Sequence, residues 1–519
     1  MKRLALALSV GCAASALAGA ALADPPGKVG RVAWIEDEVS FLPPGEQSWT
    51  WASVNYPVTD GESFWTGDAG RTEIQVGPIE VSADSETELD VLALDYGRTR
   101  LGLPQGSLDL KLWRTPRGGV TISTPAGDVV IDQPGEYRID VGAPQDDGGY
   151  TPVEVTVFDG HAGAPGQVGL TDIGPGAAAV IYPGYDPEMQ YAQDASIDDW
   201  ARTREASEDW DVQAAYSPDV TGYGELAAYG DFVQDPNYGS VWYPAGVPYD
   251  WAPYRYGRWA YVAPWGYTWV DDQPWGFAPF HYGRWLSLKG HWAWTPGQWG
   301  AARPVYAPAL VGWFGGAALT VDGSPAVGWV ALAPGEPVFP GYAVSATYWN
   351  ALTDASVAPA SRRAIAIAGR ARLVPSGAVS YANRAAPGAL SVVGLAGLLP
   401  HVPVSTMPGP RGAELRKPAF MALVDKATVQ APPPAPVGHT ALSPAAAAVS
   451  VPLAPAKADA VPAVTAKPVA RVAGAEFAQP VPPVAVAPLA PARPVAPSLA
   501  TAPFKPIVAP TPPAAIASR

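Results

Sequence analysis

PYRYGRWAYVAPWGYTWVDDQPWGFAPFHYGRW (residues 253–285) carries an internal repeat. PYRYGRW at 253–259 returns as PFHYGRW at 279–285, 26 residues on (279 − 253), and PWGY at 264–267 is echoed by PWGF at 274–277. A period of this length marks a repeated supersecondary unit that cannot bury its own apolar face alone. Gly and Pro between the aromatics favour short, tightly turned strands over helices. The surrounding segment 238–350 holds 13 of the 20 Trp, enough for aromatics to replace aliphatic residues as a core.

Two readings of these aromatics follow. Tyr256, Arg258, Trp259, Tyr282, Arg284 and Trp285 form either an exposed ladder for sugar rings and anionic groups, or a stapled interior. The first makes them candidate binding residues. The second makes them structural, with Arg stacked on indole.

Upstream, residues 28–180 read as strands. SLDLKLW (107–113) puts Leu108, Leu110 and Leu112 on one face and Ser107, Asp109 and Lys111 on the other, the period of a half-buried strand. Segments 72–76, 136–141 and 153–158 behave alike. Turn chemistry is expected at 95–98, Pro104-Gln105-Gly106, 117–119, Pro134-Gly135 and Asp147-Gly148-Gly149. Such spacing predicts an antiparallel sandwich or roll. Residues 181–237 read as a helical linker. SIDDWARTREASEDWDVQAA (196–215) is its helix, capped by Ser196, with acidic Asp198 and Asp199 in the first turn, a solvated acidic face, and Trp200 as its docking residue. Residues 351–426 read as a β or irregular extension, with strands expected near 378–393. Residues 427–519, nearly all Pro, Ala and Val, read as a disordered tail of polyproline character.

The chain opens MKRLALALSVGCAASALAGAALADPP. A basic start, an apolar stretch and Ala21-Leu22-Ala23 before Asp24 make residues 1–23 a secretory signal. A periplasmic or extracellular location is expected, with no transmembrane span in the mature chain. Cys12, the sole cysteine, lies inside that signal, so the mature chain has no disulfide, thiolate metal site or Cys nucleophile. Lipidation at Cys12 is the minor alternative. Charge is uneven: residues 24–240 carry 38 acidic and 11 basic side chains, residues 241–519 carry 10 and 20. The front half should repel nucleic acid. The basic back half suits anionic envelope polymers or simply attracts the front half.

Residues 30–77, with the motif VTDGESFWT at 58–66, together with LPQGSLDLKLW (103–113) and QPGEYRIDV (133–141), resemble the periplasmic domain of FecR-type regulators. Residues 254–313 resemble the Trp/Tyr-rich YGRW-repeat domain of uncharacterised bacterial envelope proteins, as do VGWVALAPGEPVF (327–339) and YANRAAPGALSVV (381–393). The resemblance implies a β-rich envelope protein and no assigned activity. FecR-type regulators place a cytoplasmic anti-sigma segment and a membrane span ahead of this domain. Here a cleavable signal stands in that place.

Catalytic signatures are sparse. The five His show no HxxxH or HExxH spacing. His281 and His291 with Asp271 and Asp272 are the one set that convergence in a cleft would make interesting. Adjacent Asp271 and Asp272 on a strand should face opposite ways. The expectation is therefore a mainly β, non-enzymatic binding or scaffolding protein of the cell envelope, without cofactor or metal. Its expected partner is a polysaccharide, peptidoglycan or another envelope protein, and not nucleic acid. The alternatives are a protein-partner module of an outer-membrane assembly or signalling system, and a glycan-acting enzyme.

Overall fold

The computed structural model describes residues 24–142, 151–206, 218–297 (except 249), 303–354, 381–411 (except 387 and 399), and 414–418, 420, 428–430 and 432–433. The expected signal (1–23), the expected turn at Asp147-Gly148-Gly149, the distal part of the expected helix, residues 355–380 and those from 434 lie outside them. All described residues belong to one unit, Met1–Val451.

The chain is mainly β. Strand β1 (Gly30–Glu36) starts a first sheet whose hydrogen-bonded order runs from Pro57–Val58 through β1, Arg71–Val76, Ile79–Ala83, the second half of Thr99–Leu112, Gly135–Val141, Val153–Asp159 and Ala177–Ile181 to Glu188–Tyr191. A second sheet runs from Thr50–Trp51 through Val39–Leu42, Ser63–Thr66, Glu88–Leu94, the first half of Thr99–Leu112, Val120–Thr124 and Gly127–Ile131 to Ala162–Pro165 and Leu170–Ile173. The inner faces meet in one apolar core: Val32, Ile74, Leu108, Leu110 and Val155 from the first sheet, Phe41, Phe64, Leu89 and Ile122 from the second.

The long strand Thr99–Leu112 corrects the reading of Pro104-Gln105-Gly106 as a turn. The triplet sits inside that strand, where the chain leaves one sheet and enters the other. Gly106 makes the corner at φ +95°, and a Cβ there would lie 2.3 Å from Thr87 Oγ1. A second difference follows. Residues 113–119 return the chain to the second sheet, so Val120–Thr124 runs parallel to the strand's own first half, against the antiparallel expectation.

A helix, Ser196–Glu205, packs on the outer side of the first sheet with Ile197 and Ala201 buried. Ala195, not Ser196, occupies the cap position, and its N–H donates to Asp198 Oδ2 at 2.6 Å. Trp200 is half-buried and donates to Glu36 Oε2 at 2.8 Å. The acidic face is not wholly solvated, because Asp198 is buried and paired with Arg138. Beneath it Asp109 is buried. Burial, then the carboxylates Glu136, Glu205 and Asp198, push the Asp109 carboxyl well above its usual range. Lys111, Arg138, Arg202 and Arg204 complete the cluster by pairing with Glu136, Glu205, Asp198 and Glu73.

A raised folded-state value means that the Asp109 contribution is complete at low pH and lost as pH rises through that value. Urea midpoints should therefore fall as pH is raised above the ordinary carboxylate range, and Asp109→Asn should flatten that decline. An unchanged slope in the variant would assign it to other groups.

The aromatic region begins ahead of residue 238, with strand Gly230–Asp235 pairing Gly239–Pro244. Two further hairpins follow, Gly257–Val262 with Gly266–Asp271 and Arg284–Leu288 with His291–Thr295. Beyond them Val311–Gly315 pairs Ser324–Ala331, joined on either side by Thr428–Gln430 and Ser391–Gly394. Part of the expected 351–426 extension thus supplies one outer strand to the aromatic region, and Thr428–Gln430, inside the 427–519 segment expected to be disordered, supplies the other by pairing with Val311–Gly315. Among the described residues no helix is long and apolar enough to cross a membrane.

Candidate functional site

The hairpins show why the aromatics recur. Tyr256-Gly257-Arg258-Trp259 and Tyr282-Gly283-Arg284-Trp285 each lead into a strand whose Trp lies opposite a Trp of the return strand: Trp259 opposite Trp269, Trp285 opposite Trp294. Each motif glycine lies under that returning Trp. A Cβ on Gly257 would be 2.7 Å from Trp269, and one on Gly283 would be 2.7 Å from Trp294. Gly230 has the same relation to Trp242, also at 2.7 Å. Tyr229-Gly230-Asp231-Phe232 is therefore a divergent third copy, hidden in the sequence by Asp for Arg and Phe for Trp.

The rings form one interior network. Trp259 meets Trp269 at 5.2 Å, Trp313 at 4.6 Å and Trp329 at 5.4 Å between centroids. Trp285 meets Trp251 at 5.3 Å and Phe280 at 5.8 Å. Most pairs are tilted or edge-to-face, the geometry favoured by ring quadrupoles. Tyr254 is a hub in the left-handed region (φ 61°). Its hydroxyl donates to Phe280 O at 2.6 Å and accepts from Leu310 N at 3.0 Å, and its carbonyl accepts from Trp329 Nε1 at 2.9 Å.

The six candidate binding residues are placed as follows. Trp259, Tyr282, Arg284 and Trp285 are buried, so the exposed-ladder reading does not describe them. The reason is register: strand pairing turns each motif Trp toward the opposite Trp, inside. Arg284 is enclosed and held by the carbonyls of Gly283, Glu336 and Leu352 at 2.8, 3.3 and 3.2 Å. Burial lowers its guanidinium to about 10. Arg258 is half-buried and pairs with Asp272 at 3.4 Å. Tyr256 is half-buried and lines a cavity of about 150 Å³ with Arg255, Ser391 and Arg411.

Asp271 and Asp272 do face opposite ways. Asp271 is buried and accepts from Trp269 Nε1 at 2.9 Å and Gln273 N at 3.0 Å, while Asp272 is exposed. His281 lies between Phe277 and Tyr306 with Nδ1 2.8 Å from Ala307 O, and burial lowers it to about 3. His291 is exposed at a hairpin end. Among the described residues no cluster of three or more His, Cys, Asp or Glu is placed to hold a metal ion.

One open cleft does combine aromatic walls with polar groups. It has a volume of about 520 Å³ and is lined by Tyr243, Trp251, Trp292, His291, Asp250 and Val247. His291 stands at solvent, Tyr243 is half-buried against Val241, Leu286 and Ala293, and Trp251 and Trp292 are buried at the base. Three glycines, Gly246, Gly290 and Gly388, keep its rim low. That volume lies in the range of small-ligand sites. Sequence reasoning missed it because its walls come from segments far apart in the chain: 243–251, the hairpin turn at 290–292, and Gly388.

Residues 223–336 match the family of unknown function DUF6600. The DUF6600 segment spans all three Tyr-Gly hairpins, the Trp313–Trp329 pair and most of the cleft. No curated protein matches the chain. Among solved structures, two crystal structures of a "putative anti-sigma factor" from Parabacteroides distasonis are similar at 9% identity and a TM-score of 0.23. One match covers 31% of this chain and 80% of that one, the other 36% and 99%. A score that low supports no inference about fold or function.

Proposed function

We propose that the protein is a non-enzymatic binding protein of the bacterial cell envelope that holds an envelope glycan in the Tyr243–Trp251–Trp292 cleft. The observation that carries this reading is the cleft itself: the partly open ring of Tyr243 for a sugar face, over a base of buried Trp251 and Trp292, with Asp250 and His291 for hydroxyls. The export-signal pattern and the resemblance of the first domain to FecR-type periplasmic domains support the location. Asp24, which directly follows the Ala21-Leu22-Ala23 box, is already part of the fold: its carboxylate accepts Ser345 N at 2.7 Å and Ser345 Oγ at 2.6 Å. Cleavage before Asp24 would leave that contact intact.

The test is calorimetric titration of the protein from residue 24 with soluble peptidoglycan fragments. His291→Ala, at solvent, should weaken binding about tenfold, or ~1.4 kcal/mol, without lowering the melting temperature, and Tyr243→Ala should weaken it further while losing some packing against Val241, Leu286 and Ala293. Trp259 and Trp285 are unsuitable variants, because truncating a buried Trp costs ~3–5 kcal/mol of stability. No saturable binding by the wild-type protein would sink the reading.

A further inference from the structure

The second sheet carries an aromatic row on its outer face, exposed at Trp51 and half-buried at Trp65. Ser40 lies opposite Trp51 on one side and opposite Trp65 on the other, and Trp65 lies opposite Glu88. Residues directly opposite share a face. The row Trp51–Ser40–Trp65–Glu88 therefore runs across four strands, with two indoles about 10 Å apart over a small serine. Trp51 is 69% exposed, and Trp49 beside it 44%. Asp90 and Ser63, bonded to each other, lie on the same outer face next to Glu88. Thr50–Trp51 is the last strand of its sheet.

Four other outlying rings of the same domain carry a cation, whereas Tyr185 and Tyr191, also exposed, carry none among the described residues. Arg204 covers Trp34 at 4.1 Å, Lys111 covers Trp113 at 5.0 Å, Arg202 covers Phe158 at 4.9 Å, and Arg71 lies 6.0 Å over Trp200. Among the described residues no Lys or Arg covers Trp51 or Trp65. The row ends on a carboxylate, with Glu88 opposite Trp65 and Asp90 beside it, in a half-chain with 38 acids against 11 bases. Indole faces beside carboxylates recognise guanidinium and ammonium groups.

We propose that the Trp51–Trp65–Glu88 face binds an extended, Arg/Lys-rich segment of a partner protein. The charge complementarity favours this occupant over a neutral glycan, which would leave Glu88 and Asp90 without counter-charge. The surface is separate from the cleft and stands or falls without it.

The probe is a labelled synthetic peptide of alternating arginine and serine, read by fluorescence anisotropy on the protein from residue 24. Parallel arms use the same peptide with glutamine for arginine, and a neutral chitin oligomer by calorimetry. The arginine peptide should bind saturably and weaken with salt, and the other two should not bind. Trp51→Ser should weaken it about tenfold or more, and Glu88→Gln should weaken it and lower the salt dependence. Trp51→Ser leaves the net charge unchanged, so a loss there is not general attraction to an acidic protein. Its exposure means that the melting temperature should hold. Equal binding by wild type and both variants, no binding of the arginine peptide at low salt, or chitin-oligomer binding abolished by Trp51→Ser would each overturn the proposal.

Discussion

Arg31→Met should destabilise the folded unit by about 3–5 kcal/mol in denaturant melts, the cost of leaving the partners of a buried ion without it. Arg31 is fully enclosed in β1. Its guanidinium pairs with Glu225 and donates to Gln75 Oε1 at 2.9 Å, Asn55 Oδ1 at 3.1 Å and Pro274 O at 3.1 Å. Asn55, held at φ 64° where Asn is tolerated, donates onward to Asp271 O at 3.1 Å and Gln273 O at 2.6 Å. One cation thus ties the β-sandwich to the DUF6600 segment. Burial pushes the Glu225 carboxyl up and Arg31 offsets part of that rise, so removing Arg31 alone strands an acid in the interior. Arg31→Met with Glu225→Met should recover much of the loss, because an apolar pair replaces a buried ion pair at little cost. A single variant within about 1 kcal/mol of wild type would show that the interface does not depend on this cation.

Gly283→Ala should cost about 3 kcal/mol or more, measured the same way. Gly283 has φ +64°, and a Cβ would stand 2.2 Å from Thr295 O and 2.7 Å from Trp294 Nε1. Neither atom can retreat, since one is strand backbone and the other belongs to a ring whose N–H is bonded to Tyr282 O at 2.9 Å. Gly290 supplies the control. It has φ +84°, and a Cβ there would meet nothing within 4 Å, so Gly290→Ala carries only the left-handed backbone term of about 1–2 kcal/mol. Equal losses at the two positions would mean that ring packing against the motif glycine is not what the repeat preserves.

The sandwich was readable because Leu108, Leu110 and Leu112 keep a strict alternation, and all three are buried. Pro104-Gln105-Gly106 misled because a Gly-containing triplet marks a chain reversal and a strand corner with the same residues. In the DUF6600 segment the repeat was plain but its inside and outside were not. Trp, Tyr and Arg suit both a core and a binding surface, and only cross-strand register separates them. The third copy at 229–232 escaped because two of its four residues differ. The Trp51–Trp65 row was beyond sequence reasoning for the same reason as the cleft: it exists only once Ser40 is known to lie between two particular strands.

The first residues of the fold are stitched to much later ones: Asp24 to Ser345, 321 positions away, the carbonyl of Gly27 to Tyr306 N at 3.0 Å, and that of Val29 to Thr221 at 2.7 Å. A chain exported as proposed, threaded from its N-terminus, delivers the lower ends of these contacts long before the upper ends. The sandwich then waits, its leading segment unclasped, until some three hundred further residues have emerged. Maturation on that route is governed by contact order: closure is slow, comes last, and joins the beginning of the fold to its end.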